Sequence, residues 1–225
     1  MKQTVNLTCP VCNQEVEWSI TTRLNTRENP NLKKDLLAGK LFDFECPVCG
    51  AKRQLETTFL YHDPDKKLMI FLIPNYQSRQ EEIEALLDQM ASQEGVDIHD
   101  YQLRLVLHST DLIEKVTLFD WGLSDQEIEI VKVLTDGLFA QEFPGKLVHN
   151  RFFYIKDKTP KILYITEDDQ LLVDFHDSLL EFANSKFNKA IVDQHQGQFM
   201  VINQAWALNA LDKKNTLKDE TIEAE

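Results

Sequence analysis

Four cysteines fall in two identical units, Cys9-Pro10-Val11-Cys12 and Cys46-Pro47-Val48-Cys49, and the sequence holds no other cysteine. A pair of cysteines two residues apart brings two thiolates to one side of a tight turn. Two such pairs supply the four sulfurs that a tetrahedral metal site prefers. The residue after each unit suits that turn, because Asn13 and Gly50 are the types that most readily adopt a positive φ. Each unit therefore reads as a metal knuckle with a rigid proline inside and a left-handed exit. The expected ligands are Cys9, Cys12, Cys46 and Cys49, and the expected cofactor is one structural Zn²⁺. Four thiolates suit iron as well, so ligand type alone does not choose between the two.

The 33 residues between the units exceed the ~15–20 of an ordinary zinc ribbon, so an element must be inserted between the knuckles. Disulfides are the poorer reading, since the opening Met1-Lys2-Gln3-Thr4-Val5 carries no apolar stretch of signal-peptide length. The expectation is a cytoplasmic chain. C-P-x-C also occurs as a redox motif, but such a motif opens a helix after a strand. Here Asn13 and Gly50 are each followed by alternating, strand-like residues.

Periodicity outlines an α+β protein. Glu15 to Ile20 alternates and reads as a strand leaving the first knuckle. Asn29-Pro30 can open a short helix that Gly39 closes, which accounts for the long spacer. Leu41 to Glu45 reads as a strand delivering the chain to Cys46. A further strand runs from Lys52 to Leu60, turns at Asp63-Pro64-Asp65, and returns from Lys67 to Ile73. The first 74 residues should then form a small antiparallel sheet pinned at one end by metal. Ser78-Arg79-Gln80-Glu81 resembles a capping box, with Ile83, Leu86, Leu87 and Met90 as a core-facing stripe and Gly95 as the stop.

Tyr101 to Leu107 reads as a strand. Ser124-Asp125-Gln126-Glu127 is a second capping box, followed by a buried face of Ile128, Val131, Leu134 and Leu138. Leu147–Ile155, Lys161–Thr166 and Leu171–Phe175 predict a three-stranded meander, to which Gln198–Ile202 could add a fourth strand. A helix over Ser178–Asp193 buries Leu179, Ala183, Phe187 and Ile191, and a closing helix over Gln204–Leu211 buries Trp206. The expected division is a zinc-ribbon-like domain over 1–135, a C-terminal α+β domain over 136–212, and a flexible acidic tail over 213–225. The longest strongly apolar run, Leu68 to Ile73, is far shorter than the roughly 20 residues of a membrane-spanning helix, so no membrane partner is expected.

Paired CPVC knuckles, with Asn29-Pro30-Asn31-Leu32 and Gly39-Lys40-Leu41-Phe42 between them, resemble the bacterial CpXC domain. Arg104-Leu105-Val106, Asp111-Leu112-Ile113-Glu114-Lys115 and Gly122-Leu123-Ser124-Asp125-Gln126-Glu127-Ile128-Glu129, with Lys132 beyond, resemble its distal part. The likeness covers roughly residues 5–135. It implies a metal-binding module and no activity, and it assigns a role only to Cys9, Cys12, Cys46 and Cys49.

Charge bears on the partner. The chain carries a formal net charge of −13. Residues 1–60 hold eight basic and seven acidic side chains, so the other 165 residues carry all of the excess acid. An acidic surface repels nucleic acid and steers toward a protein partner with a basic surface. Nucleic acid stands second, with Lys33, Lys34, Lys40, Lys52 and Arg53 as its only candidate footprint.

A catalytic constellation is not evident. A four-thiolate zinc is closed to substrate. His62, His99 and His108 read as turn, capping or surface residues. His149, His176 and His195 lie far from any thiol, and no phosphate-binding loop or H-E-x-x-H motif occurs. The acidic group Asp168, Asp169, Asp174 and Asp177 reads as a solvated hairpin flank. The favoured function is a protein-interaction or adaptor module. The alternatives are a nucleic-acid-associated zinc ribbon and an enzyme with a site in 136–212.

Overall fold

Polar–apolar alternation on both sides of the first cysteine pair makes a hairpin. β1 (Lys2–Thr8) and β2 (Glu15–Thr21) pair antiparallel, with Thr8 opposite Glu15. A computed structural model of the chain describes residues 2–74, 76, 89, 97–192 and 199–212. These residues divide into two compact units: the described parts of Met1–Val116 with His195–Met200, and those of Thr117–Gln194 with Val201–Glu225.

In the first unit, β2 passes directly to β3 (Arg23–Asn25), and α1 (Pro30–Leu37) follows. Pro30 starts the helix with φ already set, and Gly39, at φ 73°, ends it in the left-handed region. Asn29 occupies the cap position without a side-chain cap bond; its backbone N–H instead donates to the Asn25 carbonyl. The expected strand over Leu41–Glu45 is shorter than the alternation suggests. Lys40–Phe42 forms one 3₁₀ turn that buries Phe42 against Phe59, leaving β4 (Asp43–Glu45). β4 pairs antiparallel with β5 (Lys52–Gln54).

The strand expected over Lys52–Leu60 breaks into β5 and β6 (Phe59–Asp63). The Leu55 N–H still donates to the Phe42 carbonyl, one step beyond the last paired residues Asp43 and Gln54, and the break comes after it. β6 joins β7 (Leu68–Leu72) around the expected turn, and every residue of both strands is buried. β7 is apolar throughout rather than alternating, the pattern of a strand covered on both faces, while β6 also buries His62 and Asp63. With β8 (Gln102–Val106) these strands form a sheet of order β3-β6-β7-β8.

The sheet corrects the expectation of a single antiparallel sheet over residues 1–74. β3 lies parallel to β6 and β7 parallel to β8, so only the central pair is antiparallel. The helix expected between Ser78 and Gly95 lies outside the described residues, as does the tail over 213–225. The proposed last strand reduces to a parallel bridge between Met200 and Arg104.

α2 (Ser109–Asp120) is a helix that sequence periodicity missed, and the division between the units falls inside it. Its apolar contacts are Leu112, Val116 and Leu118, while Glu114 and Lys115 between them are also buried. Charged residues on the inward side break the apolar stripe on which a periodicity argument depends.

After the last residues of α2, the second unit continues with α3 (Asp125–Glu142), whose N-terminus follows Ser124 as expected, though the serine side chain makes no cap bond. Ile128 and Val131 are buried, but Leu138 is exposed and Phe139 takes the inward place expected of it. β9 (Val148–Lys156), β10 (Thr159–Thr166) and β11 (Gln170–Asp174) form the expected antiparallel meander, in order β11-β10-β9. Asp157 and Lys158 close its first hairpin with φ of 50° and 65°, the paired positive values of a two-residue turn. Across β9 and β10, Arg151 faces Tyr164 and Phe153 faces Ile162, all four buried. Phe139 stacks on Tyr164 at 4.0 Å and completes this layer. α4 (Asp177–Val192) packs Ala183, Phe187 and Ile191 on Ile130 and Val131 of α3, and the closing helix over 204–212 adds Ala207 with half-buried Trp206. The protein is thus α+β, with a four-cysteine cluster among N-terminal antiparallel strands and a three-stranded antiparallel sheet near the C-terminus.

Candidate metal centre

Each knuckle is the loop of its own hairpin, and the two loops are built alike. The last paired residues are Thr8 with Glu15 in one and Glu45 with Lys52 in the other, so six residues bridge the strands each time. In the first loop the Cys9 N–H donates to the Gln14 carbonyl, and the Asn13 N–H to the Cys9 carbonyl, both at 2.9 Å. In the second, the Cys46 N–H donates to the Ala51 carbonyl at 3.0 Å and the Gly50 N–H to the Cys46 carbonyl at 2.9 Å. Asn13 at φ 54° and Gly50 at φ 69° take the left-handed turn that returns each chain to its second strand. Asparagine tolerates that region better than most residues with a Cβ, which is why the first knuckle closes without glycine.

The two loops face each other. Cys9 Sγ lies 3.8 Å from Cys49 Sγ, and Cys12 Sγ lies 3.8 Å from Cys46 Sγ. All four sulfurs fall within 4.8 Å of one another. Bonds of about 2.3 Å to a central ion give a regular tetrahedron with edges of about 3.8 Å. A disulfide needs about 2.05 Å, and all four cysteines are free. The donor set therefore fits one tetrahedral metal ion. Among the described residues, no other group of three or more cysteine, histidine or acidic side chains converges in this way.

Burial divides the four. Cys9 and Cys46, first in each pair, are buried; Cys12 is half-buried and Cys49 exposed. Behind the inner sulfurs lies a core of Val16 and Phe44, with Trp18 edge-on to Phe44 at 5.6 Å. The backbone N–H groups of Cys12 and Val11 stabilise a thiolate at Cys9 and lower its pKa to about 6. At Cys12 the Gln14 N–H favours the thiolate too, but burial and the three neighbouring sulfurs outweigh it and push that thiol up to about 12. Cys9 and Cys12 are thus pushed in opposite directions, and a cation among the sulfurs would favour the thiolate at both.

The redox reading loses its structural premise, since both knuckles join antiparallel strands and neither opens a helix. Of the five basic residues set out as a candidate nucleic-acid footprint, two are engaged with carboxylates. Lys52 pairs with Glu45 at 3.4 Å, and Lys33 with Asp63 at 3.7 Å.

His62 departs from the turn or surface place expected of it, while His108 keeps its place at the surface. His62 is buried within β6 between Asn25 and Tyr101, at 3.3 and 3.2 Å. His108 faces Glu56 at 3.3 Å. Of the acidic group, Asp168 and Asp169 pair with Lys146, and Asp174 with Lys161. His195 lies outside the described residues. Sequence reasoning missed a set of buried charges: Arg104, Glu114 and Lys115 in the first unit, and Asp125, Glu129 and Lys132 in the second. None is without a partner, and the Lys132 Nζ lies 2.8 Å from Glu129 Oε1. Their spacing carried no signal, because charged residues are read as solvent-facing by default.

Two hairpins joined by a four-sulfur cluster define the class: a two-knuckle protein whose four cysteines could hold a metal ion. Residues 7–132 match the family described as CpXC protein. That match covers more than half of the chain, and the chain belongs to the CpXC family. No curated protein and no solved structure matches it.

Proposed function

We propose that Cys9, Cys12, Cys46 and Cys49 bind one zinc ion as a structural centre, and that the chain acts in the cytoplasm as a protein-interaction or adaptor module. The sulfur geometry carries the first half. Four thiolates fill a tetrahedral ion completely and leave no position for water or substrate. Zinc there holds together two short hairpins whose shared core is only a handful of side chains.

The second half rests on the surface around the centre. Val11 and Val48 occupy equivalent places at the tips of the two knuckles and are 51% and 62% exposed. Two apolar tips presented by a rigid clamp suit a protein partner. The acidic excess beyond residue 60 favours a partner with a basic surface. Nucleic acid is the weaker candidate, because Lys33 and Lys52 already pair with carboxylates, leaving Lys34, Lys40 and Arg53 as the exposed remainder. On this reading residues 1–135 act as the metal-binding domain and 136–212 as a second α+β domain. The family match supports a functional boundary there, ending at residue 132, although the compact units divide earlier, inside α2.

The test is affinity capture from native extract with the full chain and with a Val11→Asp/Val48→Asp variant. The expected result is a basic partner retained by the wild type, released by salt, and lost from the variant while its metal content stays unchanged. Equal retention by both would refute the tip surface. Retention of nucleic acid, abolished by nuclease, would favour the other reading.

A further inference from the structure

The second unit contains a cavity of about 350 Å³, within the size range of small-molecule sites. It lies between the C-terminal part of α3 and the start of β9, and Gln204 of the closing helix also lines it. Its character runs against the charge of the chain. In a protein of net charge −13, the lining includes Lys146, His149 and Arg151 and a single acid, Asp136.

Local backbone structure explains how these groups come together. β9 and β10 pair regularly until Ile165 meets Asn150, and the next partners are Thr166 and Val148. His149 is therefore the extra residue of a β-bulge, a feature that re-aims side chains and is common beside functional sites. The turn before β9 passes through Gly145 at φ 83° and brings Lys146 to the cavity. On the other wall, Phe139 and Phe143 lie 5.0 Å apart with their rings tilted by 36°. Phe143, half-buried, and the edge of Phe139, whose face is stacked on Tyr164, give that wall an aromatic lining near Lys146 and Arg151.

Arg151 supplies the second observation. It is 6% exposed, and its Nε stands 2.9 Å from Asp136 Oδ1 in an ion-pair contact without hydrogen-bond alignment. Its Nη2 is buried and has no hydrogen-bond partner. Asp136 is shared, since Tyr164 donates its hydroxyl to the same oxygen at 3.0 Å. Burial raises the Asp136 carboxyl above the ordinary carboxylate range even against the opposing charge of Arg151. A buried guanidinium with an unused donor and a carboxylate divided between two partners is under-satisfied, and orphan donors in native proteins call for an explanation. Planar oxyanions match the guanidinium fork, and an aromatic wall suits a ring attached to one.

We propose that this cavity is a binding site for a small aromatic carboxylate, with Arg151, Lys146 and His149 around the carboxylate and Phe139 and Phe143 against the ring. The proposal is independent of the metal centre, because every residue named belongs to the second unit. Lys146 is held near the mouth by Asp168 and Asp169, and it exchanges part of that pairing for the ligand.

The test uses the full metal-loaded chain titrated with 2-naphthoate, its neutral isostere 2-naphthamide, and 2-naphthyl phosphate. Ligand-observed NMR and calorimetry give the readouts. The expected result is 2-naphthoate binding at least ten-fold tighter than the amide and tighter than the phosphate ester. Arg151→Gln should abolish it, but that variant also breaks the contact with Asp136 and can fail to fold. Lys146→Gln/His149→Gln keeps the buried contact of Arg151 with Asp136 and gives up only the exposed pairing of Lys146 with Asp168 and Asp169. It should weaken 2-naphthoate at least five-fold with the thermal midpoint unchanged, leaving the amide unaffected. Equal affinity for acid and amide, no binding of either, or an undiminished affinity in that double variant would overturn the proposal. Tighter binding of the phosphate ester would overturn the carboxylate assignment.

Discussion

Cys12 and Cys46 stand 34 positions apart in the chain, yet their sulfurs are 3.8 Å from each other. Neither hairpin could fix that approach alone. Each contributes one buried and one outer cysteine, so the proposed ion would cross-link two strand pairs that share only a small core. Removing the ion with a chelator should therefore loosen residues 2–54 while the meander of the second unit persists. Amide hydrogen exchange resolved by segment checks this: protection lost in β1, β2, β4 and β5, and retained in β9 and β10, is the expected pattern. Cys46→Ser should give the same pattern without chelator.

The knuckle turns carry a sharper requirement. Gly50 sits at φ 69°, where a β-branched residue is strained by about 1–2 kcal/mol or more. Gly50→Val should weaken metal retention in competition with a chromogenic chelator, while Asn13→Gly, at φ 54°, should retain metal as well as the wild type or better.

Those turns were legible in the sequence because a motif with a fixed geometric need appeared twice. The α+β class, the meander and most helix starts were legible for the ordinary reason that apolar residues recur with the period of the element. What escaped detection did so for separate physical reasons. α2 was missed because Glu114 and Lys115 are buried among its apolar contacts, and the mixed sheet because strands that are apolar on both faces do not disclose their direction. Phe139 displaced Leu138 from the core by one position along α3, a rotation set by its stacking on Tyr164 and invisible to a periodic pattern. The cavity beside Arg151 left no signature at all, since its residues come from a helix end, a turn and a bulge.

Glu56 makes an acid-sensitive tie. Its Oε1 accepts from both the backbone N–H and the hydroxyl of Ser109 at 2.6 Å, at the first residue of α2. Partial burial acts to raise the carboxyl, but the Ser109 bonds and His108 outweigh it and hold it below its ordinary 4.5. A depressed acid contributes stability that is fully present above pH 4.5 and is lost as pH falls through the lower folded value. Glu56→Gln should cost about 0.5–2 kcal/mol at pH 7, the range of a helix cap, and flatten the acid side of the profile. Urea unfolding at a series of pH values measures both.

Lys132 and Glu129 form a buried pair one helical turn apart. Lys132→Met leaves a buried carboxylate short of a partner, and about 3–5 kcal/mol of destabilisation is expected. Adding Glu129→Leu should cost less than the sum of the two single changes, as read from a double-mutant cycle in urea.

The first hairpin of the meander offers a gain. Lys158 holds φ 65° in the turn between β9 and β10, and a glycine adopts that value without a Cβ clash. Lys158→Gly should stabilise the second unit by about 0.5–1 kcal/mol, seen as a higher thermal midpoint.

The central claim is one metal ion held by four sulfurs. Native mass spectrometry of the freshly purified full chain, with elemental analysis of the same sample, measures it most directly. One zinc per chain, lost together with four protons regained by the thiols, is the predicted result. A metal-free chain whose thiols all react freely while both hairpins stay folded would contradict it.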